Sequence, residues 1–197
     1  MKPMSQIKVY GLEESVRASK YPMSTDLSLL TDEITDTVRN LGKATPGSGH
    51  DQFLTGIICQ FDLTLTVKAW TEAQRYHFLD FVSSQSTMHR ITRFDLDKAY
   101  SEYVDPRVID IMREKIAVYN RMKEDGAPAN ELAELYLGIL DTNPAGFLLT
   151  ARMTTNYRQL KTIYYQRKAH LLPVWREMCR QIRKLPHFEE LCLKGGT

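Results

Sequence analysis

Cysteine is scarce in this sequence. Cys59, Cys179 and Cys192 are the only three in 197 residues, and no two stand in a C-x-x-C spacing. An odd, unpaired set argues against a disulfide framework and a zinc site, and makes a reducing cytoplasm the expected setting. Long apolar runs are lacking too. No stretch reaches the ~18 residues a membrane helix needs, and the opening MKPMSQIKVYG carries no apolar segment of signal-peptide length. Neither sign of charge is in excess: 26 Lys and Arg against 24 Asp and Glu give a net +2, so no global field selects nucleic acid or an anionic membrane. There is no internal repeat and no low-complexity segment. What is present, 43% hydrophobic and 25% charged residues, is the composition of a soluble globular protein whose length suits one domain spanning residues 1–197.

Along the chain, Ile7 and Val9 alternate with polar neighbours and end at Gly11, which predicts a short strand. Glu13 to Lys20 has room for a turn or two of helix before Pro22. Ser24 is a fitting cap for a helix carrying Leu27, Leu30, Ile34, Val38 and Leu41 and closed by Gly42. Residues 44–51, ATPGSGHD, form a loop by composition. Residues 54–67 predict a central strand with Phe61, Leu63, Leu65 and Val67 on one face. Trp70, Ala73, Tyr76, Leu79 and Val82 recur every three residues and predict a helix, and Met88 to Tyr103 has no firm period. Asp105-Pro106 starts a helix with Val108, Ile109, Met112, Ile116 and Tyr119 inward. Leu132, Leu135, Tyr136 and Ile139 mark the next, ended at Asn143-Pro144. Few strands among many helices imply an α/β or α+β fold, a small mixed sheet covered by helices.

The stretch from Phe147 to Arg176 is the most informative. FLLTARMTT predicts a strand ending at Asn156. In the helix that follows, Asn156, Leu160, Ile163, Arg167 and His170 fall on a stripe about 80° wide. A packing face does not ordinarily line up Arg with Leu and Ile, so Arg167 is either a snorkelling side chain or a fork held for a carboxylate, a phosphate or a pyrimidine edge. From Arg152 to Lys184 there are nine basic residues against Glu177 alone. Pro173 starts a further helix with Trp175, Met178, Cys179 and Ile182 inward and Arg176, Arg180 and Arg183 outward. Pro186 breaks it before a tail piece around Phe188 and Leu191.

Thr154, Asn156, Arg158, Leu160 and Arg167, in T-x-N-x-R-x-L followed by a second Arg nine residues after the first, resemble the C-terminal motif of the flavin-dependent thymidylate synthases. His170 and Trp175-Arg176-Glu177 follow much as in that family. Upstream, Gln85 and His89-Arg90 resemble its Q-x-x-R-H-R core. The resemblance covers about a third of the chain. It implies a fold of that type, binding FAD, and reductive methylation of dUMP to dTMP with methylenetetrahydrofolate and NADPH as co-substrates. It implies that Arg167 polarises the uracil ring, with no cysteine nucleophile. It further implies flavin contacts from His89, Arg90, Asn156, Arg158, Thr162 and His50, substrate contacts from Gln85, Arg90 and Arg167, and a homotetramer. Exposed tyrosines such as Tyr157, Tyr164 and Tyr165 would suit subunit contacts.

The chain also departs from the family pattern. Met88 stands at the signature's first Arg. The phosphate loop is represented only by Tyr100-Ser101, with Ala99 at the Arg position and Arg93 or Lys98 as the available substitutes. Two further readings therefore stay open: a family member with altered or lost activity that keeps a nucleotide pocket, and a nucleic-acid-binding module using the basic C-terminal helices. The second ranks last because no stacking-platform motif accompanies the basic residues.

Overall fold

The computed structural model describes residues 2–45 and 47–194. In chain order it has β1 (Met4–Tyr10), α1 (Leu12–Ala18), α2 (Asp36–Gly42), β2 (Ile58–Thr66), α3 (Val67–Ala73), β3 (Leu79–Ser84), α4 (Thr87–Arg90), α5 (Pro106–Glu124), α6 (Ala129–Thr142), β4 (Leu148–Asn156), α7 (Tyr157–Arg167), α8 (Pro173–Arg183) and α9 (Phe188–Cys192). The strands form one sheet in the order β1-β2-β4-β3. β1 and β2 pair antiparallel, Met4 opposite Leu63 and Val9 opposite Cys59. β2 and β4 are also antiparallel, since Tyr157 N–H donates to Ile57 O and Val67 N–H to Phe147 O. The expected α/β class and central strand hold.

The chain divides into two compact units: Met1–Leu63, Gln74–Ser83 and Arg152–Thr197, and Thr64–Ala73 with Ser84–Ala151. In the first unit, Cys59, Phe61 and Leu63 of β2 alternate inward, as the period of two requires. Tyr157, Leu160 and Ile163 of α7 and Trp175, Met178, Cys179 and Ile182 of α8 are also buried, so both C-terminal helices turn their expected faces inward. Gly11 caps α1 at φ +70, and a Cβ there would stand 2.6 Å from Gly56 O. Gly42, the last residue of α2, is held to glycine by a close approach: a Cβ would come 2.2 Å from Leu191 O.

In the second unit, Asp105 caps α5, its carboxylate accepting from Arg107 N–H at 3.0 Å, with Pro106 at the first helical position. Ile91, Met112, Ile116 and Ile139 form its helical core, flanked by Tyr119 and Tyr136. Ala99 and Tyr100 meet β4 and the residue before it: Leu148 N–H donates to Ala99 O at 2.8 Å, and Tyr100 bridges Phe147. The Tyr100-Ser101 echo is thus part of the sheet margin, and Lys98 pairs with Asp95 at 2.9 Å.

Three expectations need correction. The helix expected from Ser24 begins only at Asp36, capped by Thr35, whose hydroxyl accepts from Val38 N–H at 3.4 Å. Leu27 and Leu29 lie in a short 3-10 turn and are exposed, so they give a longer helix no apolar face to bury. The helix expected from Trp70 to Val82 stops at Ala73, and Leu79–Ser84 is the edge strand β3. Spacing by three in an aromatic, branched run did not distinguish helix from strand, and pairing in the sheet decided it. Tyr157, expected on the surface, is fully buried and donates its hydroxyl to Pro186 O at 2.7 Å.

Candidate active site

Asn156 is both the last residue of β4 and the N-cap of α7. Its side-chain oxygen accepts from Gln159 N–H at 2.9 Å, which fixes where the strand turns into the helix. The stripe has the expected character. Leu160 and Ile163 are fully buried, while Asn156, Arg167 and His170 are half-buried. Thr162 donates its hydroxyl to Arg158 O, one turn back, at 3.2 Å.

The first turns of α7 hold an ion cluster that the sequence did not disclose. Asp51 is 1% exposed and Lys161 3%. Lys161 Nζ donates to Asp51 Oδ2, Gly42 O and Ala44 O, each at 2.8 Å. Arg158 Nε donates to Asp51 Oδ1 at 3.0 Å and its Nη1 to Gln52 Oε1 at 2.9 Å. One buried carboxylate therefore receives two cations. The signal available was angular: Lys161 is four residues from Tyr157 and adjacent to Leu160, inside the arc α7 buries. His50, next to Asp51, is exposed.

At the other end of α7, Arg167 is packed in an aromatic corner. Its Nε–H donates to Tyr76 Oη at 2.7 Å. Its guanidinium carbon lies 4.9 Å from the Trp175 ring centre and 5.6 Å from that of Tyr76, within cation–π range. Tyr76 and Trp175 meet edge to face at 6.2 Å, and His170 meets Trp175 at 6.4 Å. Arg176 Nη1 donates to His170 O at 2.6 Å and to Leu171 O at 2.8 Å, tying down the α7–α8 turn. The sequence marks Tyr76 only as a packing residue and Trp175 as both a packing residue and part of the C-terminal resemblance, so neither is among the expected site residues.

Burial raises the Cys179 thiol to about 11, with Arg167 drawing it the other way. Burial likewise raises Cys59 to about 12, against a smaller pull from Arg152. Neither thiol is poised as a nucleophile near neutral pH.

Gln85, His89 and Arg90 belong to the second unit. Gln85 N–H donates to Thr150 O at 3.0 Å, and its carboxamide oxygen accepts from Thr150 N–H at 2.9 Å. The side chain thus carries the strand ladder one residue past β3, and its acceptor is committed to backbone. His89 and Arg90 end the single turn α4 and are exposed, as is Met88.

A flavin dinucleotide needs cations for its diphosphate that are not already engaged with a carboxylate. His89 and Arg90, exposed side by side, fit that requirement. Asn156 and Thr162, half-buried at the β4–α7 junction and one turn on, fit as polar neighbours of a flavin. Arg158 fits less well, because its Nε is spent on buried Asp51.

No family model matches the sequence, and no curated protein matches it. Solved structures do match. The flavin-dependent thymidylate synthase ThyX from Helicobacter pylori, crystallised with FAD and dUMP, aligns at a TM-score of 0.70 with 13% identity, covering 98% of this chain and 100% of that one. A second crystal structure of ThyX from the same organism, also with FAD and dUMP, gives 0.69 and 13% over 96% and 97%. Over nearly its whole length, this chain has the fold of the flavin-dependent thymidylate synthases.

Proposed function

We propose that this chain is a divergent flavin-dependent thymidylate synthase, converting dUMP to dTMP with FAD, methylenetetrahydrofolate and NADPH. The observation that carries the proposal is the end-to-end fold match to a protein crystallised with FAD and dUMP. In this reading His89 and Arg90 hold the flavin diphosphate, with Asn156, Arg158, Thr162 and His50 around the rest of the cofactor. Gln85, Arg90 and Arg167 receive the nucleotide. Bound FAD supplies the redox chemistry.

Arg167 acts as a fixed electrophile. A guanidinium stays charged at any working pH, and its planar fork can meet a ring carbonyl and the adjacent nitrogen together. Its Nε–H is committed to Tyr76 Oη, so Nε is not the atom that meets a pyrimidine. Holding the fork against Trp175 before the substrate arrives lowers the cost of reorganisation as charge develops on the ring. The family reading also carries a homotetramer and a cytoplasmic setting into the proposal.

A second reading is favoured by specific observations. Arg158 is paired with Asp51, the Gln85 acceptor is spent on Thr150, and Met88 replaces a cation. On this reading the fold keeps a nucleotide pocket and the methylation is altered or lost. Anaerobic mixing of the flavin-reduced protein with dUMP and methylenetetrahydrofolate separates the two. Reoxidation of flavin with formation of dTMP supports the synthase; tight nucleotide binding with no dTMP supports the altered member.

A further inference from the structure

We propose that Tyr76 is a positioning residue for Arg167, one that fixes which edge of the guanidinium faces a ligand. The proposal rests on the reading of Arg167 as the group that acts on the pyrimidine. Three observations carry it. Arg167 Nε–H donates to Tyr76 Oη at 2.7 Å, while the Tyr76 hydroxyl donates onward to Gln166 Oε1 at 3.0 Å. That relay has one consistent direction. Arg167 can only donate, so the hydroxyl proton must point at Gln166 and the oxygen lone pair at Nε. The guanidinium face packs on Trp175, 4.9 Å from its carbon, and the Nε bond adds a directional constraint within the guanidinium plane.

The support behind Tyr76 is itself anchored. Tyr76 lies in the turn between α3 and β3, and two residues on Phe78 O accepts from the Thr155 hydroxyl of β4. β4 runs directly into α7, which carries Arg167. Tyr76 and Arg167 are therefore fastened to the same strand–helix element from two sides. A hydroxyl also suits the task chemically. It accepts from the cation without adding a negative charge, so it sets direction and does not itself draw off the charge the reaction needs.

Tyr76→Phe tests this, because it keeps the ring against Arg167 and Trp175 and removes only Oη. The first readout needs no turnover: hydrogen exchange of the Arg167 Nε–H, followed by ¹⁵N NMR on the full chain and assigned by its loss in Arg167→Lys. The expected result is exchange at least about tenfold faster in Tyr76→Phe, with melting within a few degrees of wild type. Unchanged exchange would overturn the proposal. The second readout is anaerobic oxidation of the reduced flavin by dUMP and methylenetetrahydrofolate together. Tyr76→Phe should lower its rate about tenfold alone and cost nothing further in an Arg167→Lys background. An independent, additive loss in that background would also overturn it. Should the wild-type chain prove inactive with dUMP, the proposed function fails, while the exchange measurement still decides whether Tyr76 holds Arg167.

Discussion

Lys161 Nζ and Asp51 Oδ2 meet at 2.8 Å with both side chains almost wholly buried. The same ammonium also takes Gly42 O and Ala44 O, so one lysine joins α7 to both flanks of the loop that carries His50. Burying two charges brings little net stability when they are paired, but removing one partner strands the other. Asp51→Asn should therefore destabilise the protein by about 3–5 kcal/mol, lowering the melting temperature by roughly 6–20 °C. Combining Asp51→Leu with Lys161→Met should cost clearly less than the sum of the two single changes, because the buried carboxylate and ammonium leave together while Arg158, only half-buried, keeps Gln52 Oε1. Urea unfolding of the four proteins checks this, and simple additivity would contradict the buried pair.

The thiols give a pH dependence of defined sign. Burial raises Cys59 to about 12 and Cys179 to about 11, above an ordinary thiol near 9. The native state therefore holds these protons more tightly than the unfolded chain does. Their contribution to stability is full below about pH 9 and is lost as pH rises through about 11 to 12. Unfolding free energy followed from pH 8 to 11.5 should fall across that window, and fall less in Cys59→Ala relative to its own value at pH 8. At pH 8 a thiol reagent should label none of the three cysteines within minutes, and all three in denaturant.

Tyr157 supplies a third expectation. Its hydroxyl is buried and donates to Pro186 O at 2.7 Å, and its ring meets Phe188 edge to face at 5.2 Å. Tyr157→Phe removes the bond, leaves the Pro186 carbonyl within reach of water, and should cost about 0.5–1.5 kcal/mol. Thermal melting measures it. A change below 0.5 kcal/mol would show that water takes over the Pro186 carbonyl.

The pattern of what could be read in advance follows from physical range. Elements fixed by local chemistry were legible: the Asp105-Pro106 start of α5, the Asn156 cap, the Pro173 start of α8, and the inward faces of β2, α7 and α8. β3 was not, because Leu79 to Ser84 becomes a strand only through a neighbour distant in sequence. The stripe ending at Arg167 was legible from angle alone. Tyr76 beside it was not, since a residue about ninety positions away gives no periodic signal. Lys161 was legible in angle, but its buried carboxylate partner was not, because Asp51 stands 110 residues away in sequence. The exposure of His89 and Arg90 fits what a phosphate needs, whereas the engagement of Arg158 and Gln85 could come only from coordinates.

The most direct test of the account is flavin titration followed by nucleotide. The protein, reconstituted with FAD, should show a shifted flavin spectrum, dUMP should perturb that spectrum further, and dUMP with methylenetetrahydrofolate should oxidise the reduced flavin as the transferred methylene takes up its hydride. Arg167→Lys keeps the charge and loses the fork, so it should melt within a few degrees of wild type, retain FAD and oxidise flavin with dUMP and methylenetetrahydrofolate on the order of 10²-fold more slowly. A protein that takes up no FAD at large excess would contradict the account, and so would an Arg167→Lys variant that folds and responds to dUMP like wild type.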